Sequence, residues 1–412
     1  MTTTTGDARG LRAVGLVAAG IAFVLVVAAL AAFILTQTDT GRRRVLGITL
    51  DVLGKGIRGK LSVQRIEGNL LTGAKLHGVA LRDDNGDLFL LADSAYLDYD
   101  PRTLTTPRIQ VDRAVLYNAQ VYVWQIPGDT LWNYQKLFPP GKPGGAQRYT
   151  LLESVRVVNG MARVQIPWEP EEGLSARQRR REVALALSDT SPYLVHRVGR
   201  GYLHTINVTG LHGGLSRVRF APGSRAGSYF GIDSLAGRVQ FFRTPFEVKA
   251  LRGELELVEN RVEFRAPVFN LPNSYVSTFG VITLAERRGG EPKYDVTFNS
   301  DSVALRDLRW LYRRFPADAS GAVDLTVETR PEGLLFLARD LRMRAPGTRV
   351  RGDFGMITGD TVRFVDVNLR AEPLRTSVLE GMLPDSLPVR GLLIGGVEIR
   401  GPQARRPSRP RS

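Results

Sequence analysis

Polar and apolar residues alternate over many short stretches of this chain, which is the pattern of β-strands in a sheet. From Phe246 to Ala250 every second side chain is apolar and those between are charged, and the alternation returns in residues 261–266. Because successive side chains of a strand point to opposite faces, these stretches predict a sheet with one apolar and one charged face. The phase changes across residues 251–253, where we expect a β-bulge or a turn.

Turn sequences separate the alternating stretches and predict a succession of hairpins. The sequence DDNGD at 83–87 predicts a tight turn, because Asn-Gly readily takes the positive φ that a hairpin requires. A second Asn-Gly pair, at Asn159, predicts a hairpin over residues 151–166. Residues 167–181 are rich in proline and charge and predict a surface loop. Further alternating stretches predict strands at 59–66, 74–82, 88–98, 108–124, 182–187, 203–208, 334–345, 349–357 and 361–369.

An uninterrupted apolar run near the start of the chain predicts a membrane-spanning helix. Residues 13–35 carry no charge, and a helix of this length rises roughly 35 Å, enough to cross a hydrocarbon core of about 30 Å. A cleavable signal peptide is the alternative, but its apolar region is normally only about 7 to 15 residues long. The sequence therefore predicts a retained single-pass anchor, with residues 1–12 as a cytoplasmic tail.

The charges that flank the anchor conflict with a periplasmic location of the large domain. Arg9 and Arg12 precede the apolar run, whereas Arg42, Arg43 and Arg44 follow it closely. Taken alone, the positive-inside rule would place the large domain in the cytoplasm, although long domains translocate largely regardless of their charge. The flanking charges therefore leave the topology open.

Composition favours a turn-rich β protein and makes nucleic acid a poor candidate partner. The 412 residues include 43 glycines and 23 prolines without a regular period, and no cysteine. The net charge of +15 is spread along the chain, with runs only at 42–44, 177–181 and in the tail from Arg405. No helix-turn-helix, RNP or zinc-finger pattern accompanies these runs. We interpret them as solvated faces, with anionic lipid as the next candidate.

Candidate chemistry is sparse, and the sequence predicts neither an enzyme nor a cofactor. The four histidines, His77, His196, His204 and His212, lack the spacing of a metal site, and no cysteine is present to assist them. The acidic stretch at 83–87 lacks the twelve-residue loop of a calcium site, so a turn explains it better. The sequence contains no nucleophile elbow, P-loop or dinucleotide fingerprint. Catalytic, cofactor and metal residues are therefore all predicted to be absent.

Several segments follow one another in a characteristic order and spacing. They are EGNLLTG at 67–73, LHGVALRD at 76–83 with Gly86, YDPRTL at 99–104 and the strand pattern at 109–123. Together they resemble the N-terminal region of the AsmA and TamB superfamily of bacterial envelope proteins. Trp132 begins a further stretch, WNYQKL, that is similar to the Trp-containing element commonly found next. The resemblance covers residues 13–138 well and the later chain less well.

A repeat near the end of the chain resembles the body of TamB-like proteins. Residues 305–327 and 373–399 each contain a short helix pattern, a proline, a glycine and a strand pattern, and their equivalent prolines, Pro316 and Pro384, are 68 positions apart. Such a period is typical of extended repeat arrays. No match to the C-terminal β domain typical of TamB is evident, so we expect either a short member of the family or a fragment of a longer one.

Together these features predict a mainly β fold that follows one transmembrane helix. The resemblance implies that the β part is an elongated, curved, U-shaped repeat sheet with short helices. The predicted organisation is an N-terminal β domain at 36–138, a continuing sheet at 139–300, repeats at 301–400 and a disordered basic tail at 401–412. From periodicity alone, the apolar face is at least as consistent with the core of a closed sandwich as with an open groove.

The resemblance implies an inner-membrane protein whose large periplasmic domain carries phospholipid acyl chains along an apolar concave face between the inner and outer membranes. Phospholipids and the inner membrane are then the expected partners. The alternative is an anchored assembly factor that binds protein, with an outer-membrane barrel protein as its partner, through strand addition at a sheet edge. The candidate groove residues are Phe246, Val248, Leu255, Leu257, Val262 and Phe264.

Overall fold

The computed structural model describes a mainly β protein with few helices. The predicted anchor at 13–35 and the terminal tails lie outside the described residues. Among the residues that are described, no helix is both long and apolar enough to cross a membrane. The described residues are 59–67, 73–99, 108–129, 132–137, 149–170, 174–191, 193–220, 227–258, 260–283, 292–310, 313–358, 362–375, 378, 392–393 and 397–400.

The described residues divide into two compact units, which we call the first unit (the described residues up to 262) and the second unit (the described residues from 263 onwards). The elements of the first unit are β1 Gly59–Glu67, β2 Gly73–Asp83, β3 Leu88–Tyr99, β4 Arg108–Tyr117, β5 Gln120–Trp124, α1 Asn133–Leu137, β6 Tyr149–Trp168, α2 Ala176–Leu187, β7 Val195–Val198, β8 Gly201–Phe220, β9 Ser228–Gln240 and β10 Phe246–Val258. Strand β11, Arg261–Leu271, begins at the boundary. The remaining elements are β12 Ser274–Thr283, β13 Lys293–Ala304, a 3-10 helix Leu305–Leu308, β14 Ser320–Arg330, β15 Gly333–Ala345, β16 Thr348–Thr358, β17 Val362–Ala371, β18 Leu374–Arg375, β19 Leu392–Leu393 and β20 Val397–Arg400.

The strands of the first unit form a mixed sheet. Strands β1, β2 and β3 are antiparallel neighbours, and the turn at 83–87 joins β2 to β3 as predicted. Strand β3 pairs with both β4 and β5, and these two strands pair in parallel with the two halves of β6. Strand β6 then pairs with β8, β8 with β9 and β9 with β10, all antiparallel. The long strand β6 therefore joins the N-terminal hairpins to the later ones.

One face of this sheet is a buried core. Directly paired residues point to the same face of a sheet, and the registers align apolar residues in rows across many strands. One row crosses six strands, and each of its side chains is at most 7 % exposed. Its members are Ala74, Leu97, Ala114, Val155, Leu215 and Ile232. In this unit the apolar face is therefore closed to water.

Helix α1 lies against this core. The side-chain amide of Asn133, at the start of the helix, donates to the backbone oxygen of Tyr122 at 2.9 Å. Its oxygen accepts from the backbone N–H of Trp124 at 3.1 Å, so the helix is tied to β5. Leu137, at the other end, is 1 % exposed. The stretch that begins at Trp132 thus supplies a buried leucine to the first unit.

The hairpin predicted over residues 151–166 is wrong, because these residues belong to the single long strand β6. Asn159 has a φ of 54° and produces a bulge, at which the register with β8 shifts. Its side-chain amide donates to the Asn118 side-chain oxygen at 2.7 Å, and the Asn118 amide donates to Asp93 at 2.7 Å. Asparagine tolerates the left-handed conformation, and here it bends a strand instead of reversing it.

The strand predicted at 182–187 is also wrong, because these residues end helix α2, which occupies part of the predicted loop as well. Ser175 and Gln178 form a capping box: the backbone N–H of Gln178 donates to the Ser175 hydroxyl, and the Gln178 side chain accepts from the backbone N–H of Ser175. This pair satisfies N–H groups that would otherwise lack a partner in the first turn. The serine and the glutamine three residues later are the sequence signal that would have predicted the helix.

Candidate functional site

The six candidate groove residues lie on β10 and β11, and most of them are buried. Phe246, Val248 and Leu255 are 3 % to 9 % exposed, and Leu257 is half-buried. These residues pair with β9 in the core of the first unit, and the irregularity predicted at 251–253 is confirmed by register shifts between Val248 and Gly253. Four of the six therefore line the closed face of the first unit. The remaining two residues are Val262, which is buried, and Phe264, which is half-buried.

A different apolar surface lies in the second unit. Strands β12 to β17 form consecutive antiparallel pairs, so each strand lies beside its neighbour in sequence. The registers align two apolar rows on one side of these strands, which we call the apolar face. The first row is Val296, Val327, Phe336, Met356 and Phe364, and the second is Phe298, Leu325, Ala338 and Phe354.

The apolar face becomes more exposed from β13 towards β17. Val296 and Val327 are 2 % and 1 % exposed, whereas Phe336 and Met356 are half-buried and Phe364 is 55 % exposed. The first row makes four steps between strands of about 4.8 Å each, so it is roughly 19 Å long. An elongated apolar ligand could lie across the strands, covered at one end and accessible to solvent at the other.

Aromatic packing stabilises the exposed end of the apolar face. The rings of Phe354 and Phe364 have their centroids 5.8 Å apart and are tilted by 54°. This separation lies within the range in which aromatic pairs attract each other. Both rings still leave apolar surface open, because Phe354 is only half-buried and Phe364 is mostly exposed.

Bulges keep apolar side chains on the same face along the strands. Asp340 on β15 and Asp366 on β17 have φ values of 50° and 48°, and each lies where the register shifts by one residue. Across the β15 bulge, the apolar series that ends at Ala338 resumes at Leu341. A regular strand would have turned the later residues to the opposite face.

A charged network holds the bulges in place. The Arg339 guanidinium contacts a carboxylate oxygen of Asp353 at 3.5 Å and one of Asp366 at 3.2 Å, which links three strands. The backbone N–H of Asp340 donates to the other Asp353 oxygen at 3.1 Å. Sequence analysis missed these residues. The signal was a charged pair, Arg339-Asp340, inside an otherwise alternating stretch.

The opposite face of the same strands has a different chemistry. On β13 and β14 its directly opposed pairs are polar, including Asp295 with Glu328 and Thr297 with Thr326. Towards β17 this face is mixed, with aliphatic side chains beside exposed arginines. These arginines are Arg342, Arg344, Arg349, Arg351 and Arg370. On β13 and β14 a continuous apolar surface is thus confined to one of the two faces, whereas β15 to β17 have apolar side chains on both.

The histidines are not gathered into a metal site in the described ranges, where no group of three or more His, Asp or Glu side chains is placed to hold an ion. His204, in the first unit, is 5 % exposed, and its Nε2 lies 2.9 Å from the backbone oxygen of Phe241. The rings of Tyr193 and Phe241 pack edge-on against it. Burial lowers the pKa of His204 below its usual value.

The lowered pKa of His204 predicts that the protein loses stability in acid. Below a pH of about 6.5 the unfolded chain takes up a proton that the folded chain excludes, so the free energy of unfolding falls as the pH falls. His204→Gln, which keeps a donor for the Phe241 oxygen, should reduce this slope in urea unfolding between neutral and mildly acidic pH. His196→Gln, at an exposed position, should leave this slope unchanged. Equal slopes in both variants would contradict the assignment.

No protein-family model, characterised protein or solved structure matches this chain. A functional interpretation therefore depends on the two apolar surfaces, one closed and one partly open, and on the sequence motifs described above.

Proposed function

We propose that the apolar face of β13 to β17 binds the acyl chains of phospholipids, and that the protein takes part in phospholipid transport between the inner and outer membranes as a periplasmic protein. In this proposal residues 13–35 tether the chain to the inner membrane. Lipid movement along the face requires no covalent chemistry, only similar affinities at successive positions. The motifs at 67–123 that resemble the AsmA and TamB superfamily agree with this proposal.

The observation that carries the proposal is the apolar row that crosses five strands while its exposure increases. Each acyl CH₂ group removed from water contributes about 0.8 kcal/mol, so a surface roughly 19 Å long can hold a chain with useful affinity. Such a chain would contact Phe336, Met356 and Phe364, while the headgroup stays in water. The proposal therefore assigns lipid contact to residues of the second unit and not to the residues on β10.

Site-specific photo-crosslinking tests the proposal. A photoreactive amino acid at Phe336, Phe354 or Met356 should capture phospholipid from cells, because these half-buried side chains line the apolar face. The controls are Thr297 and Thr326, half-buried on the opposite face of neighbouring strands. Lipid adducts should be at least several-fold more abundant on the apolar face, measured by mass spectrometry of the purified chain.

Two outcomes would overturn the proposal. Equal lipid capture on both faces would mean that the apolar face has no special role. Protein adducts without lipid adducts at Phe336 and Met356 would favour the anchored assembly factor instead.

A further inference from the structure

Helix α2 presents a basic surface that no side-chain ion pair neutralises within the part of the chain that the structure describes. Arg177, Arg179, Arg180 and Arg181 lie in its first half and are all exposed. None of the four guanidinium groups has a hydrogen bond or ion pair to another of the described residues. The first turn contains no acidic residue, and positive charge is unfavourable near the N-terminal end of a helix. The arrangement therefore has an electrostatic cost that an anionic partner would offset.

Two exposed leucines flank these arginines, one on each edge of the outer side of the helix. Residues four apart lie on one stripe of a helix, so Arg177 and Arg181 are in line with Leu185, which is 63 % exposed. The neighbouring stripe runs from Arg180 to Leu187, which is 41 % exposed. Both stripes thus begin with arginine and end with an exposed leucine.

The helix is held so that this side stays outward. Ala186, on the opposite side, is 7 % exposed and faces the protein. At the C-terminal end, the Arg243 guanidinium donates to the backbone oxygens of Ser188 at 3.2 Å and Ser191 at 3.0 Å. These contacts fix the end of α2 to the turn between β9 and β10. The outer side is therefore a fixed surface.

We propose that the outer side of α2 docks on a membrane surface that contains anionic phospholipids. Arginine binds phosphate oxygens with two parallel hydrogen bonds, and exposed leucines gain free energy by entering the boundary between headgroups and acyl chains. A nucleic-acid partner would be better served by aromatic residues among the arginines, on which bases could stack. The helix sequence ARQRRREVALAL contains none. This docking is independent of acyl-chain binding by the second unit.

The absence of cysteine from the chain allows a direct test, because one substitution creates a single labelling position. The full chain carrying Leu185→Cys is labelled with an environment-sensitive fluorophore and reconstituted into vesicles. We expect a blue shift and increased emission in an equal mixture of phosphatidylglycerol and phosphatidylcholine, but not in phosphatidylcholine alone. The same label at Tyr117→Cys, an exposed position on β4, should not respond.

Neutralising the arginines separates charge recognition from other effects. In the Leu185→Cys background, Arg177→Gln, Arg180→Gln and Arg181→Gln together should weaken the response at least about ten-fold, since each basic residue near an anionic surface contributes to binding. Raised salt should act in the same direction.

An unshifted label, or an equal shift in both vesicle types, would overturn the proposal. Retention of the shift by the triple variant would also overturn it. A label that responds to double-stranded DNA and to neither vesicle type would overturn it too. Lipid capture at Phe336 is read out separately, so either proposal can fail alone.

Discussion

Replacing Gly213 by alanine is expected to destabilise the first unit by about 3 kcal/mol or more. Gly213 lies on β8 with a φ of +149°, and a Cβ built there would come within 1.8 Å of the backbone oxygen of Ser234 on β9. No rotamer relieves a clash between a Cβ and a backbone atom, so the two strands must separate. Urea unfolding monitored by tryptophan fluorescence measures the change.

The adjacent glycine provides the control for this prediction. A Cβ at Gly214 would have its nearest neighbour, a carboxylate oxygen of Asp233, at 3.7 Å, which is an ordinary contact. Gly214→Ala should therefore be neutral or stabilise the protein by up to about 1 kcal/mol, because alanine reduces the entropy of the unfolded chain. Similar unfolding curves for the two variants would contradict the close approach of β8 and β9.

Replacing Phe336 by aspartate is expected to reduce bound phospholipid by at least about ten-fold. The carboxylate would lie in the middle of the apolar row, between Val327 and Met356. A lipid chain on this surface would have to bury the charge, which is strongly unfavourable without a partner. The measurement is the number of phospholipids retained per chain, by native mass spectrometry and lipid extraction.

Thr326→Asp is the matched control, because Thr326 lies on the opposite face of the neighbouring strand β14. It should keep the lipid content of the unaltered protein. Circular dichroism and thermal unfolding must show that both variants remain folded. If Phe336→Asp is folded and binds as much lipid as Thr326→Asp, the apolar face is not the binding surface.

The local alternation of polar and apolar residues predicted several strands of the second unit correctly. The strands expected at 334–345, 349–357 and 361–369 differ by no more than two residues at either end from β15, β16 and β17. Alternation works here because each strand pairs with its sequence neighbours through short turns. The resulting registers depend on residues that are close together in the sequence.

Changes of phase within a strand were harder to predict, because they depend on the neighbouring strands. On β2, strict alternation would place Leu76 and Val79 on opposite faces, yet both are buried, at 5 % and 4 % exposed. Gly78, with a φ of +60°, shifts the phase between them. At Asn159 the local sequence favoured a turn, but β4, β5 and β8 pair with both halves of β6 and keep the strand continuous.

The sequence by itself determined that the chain is mainly β and that its strands have apolar faces, since a period of two is a local property of consecutive residues. It did not determine which of those faces is closed. Phe246 and Leu255 on β10 have the same alternating signature as Phe336 on β15, but the first two are buried and the third is half-buried. Only the tertiary structure decided this difference, because solvent exposure depends on what covers a face. The elements that cover a face, and the strands that pair with a given strand, come from distant parts of the chain, as β6 does for β4.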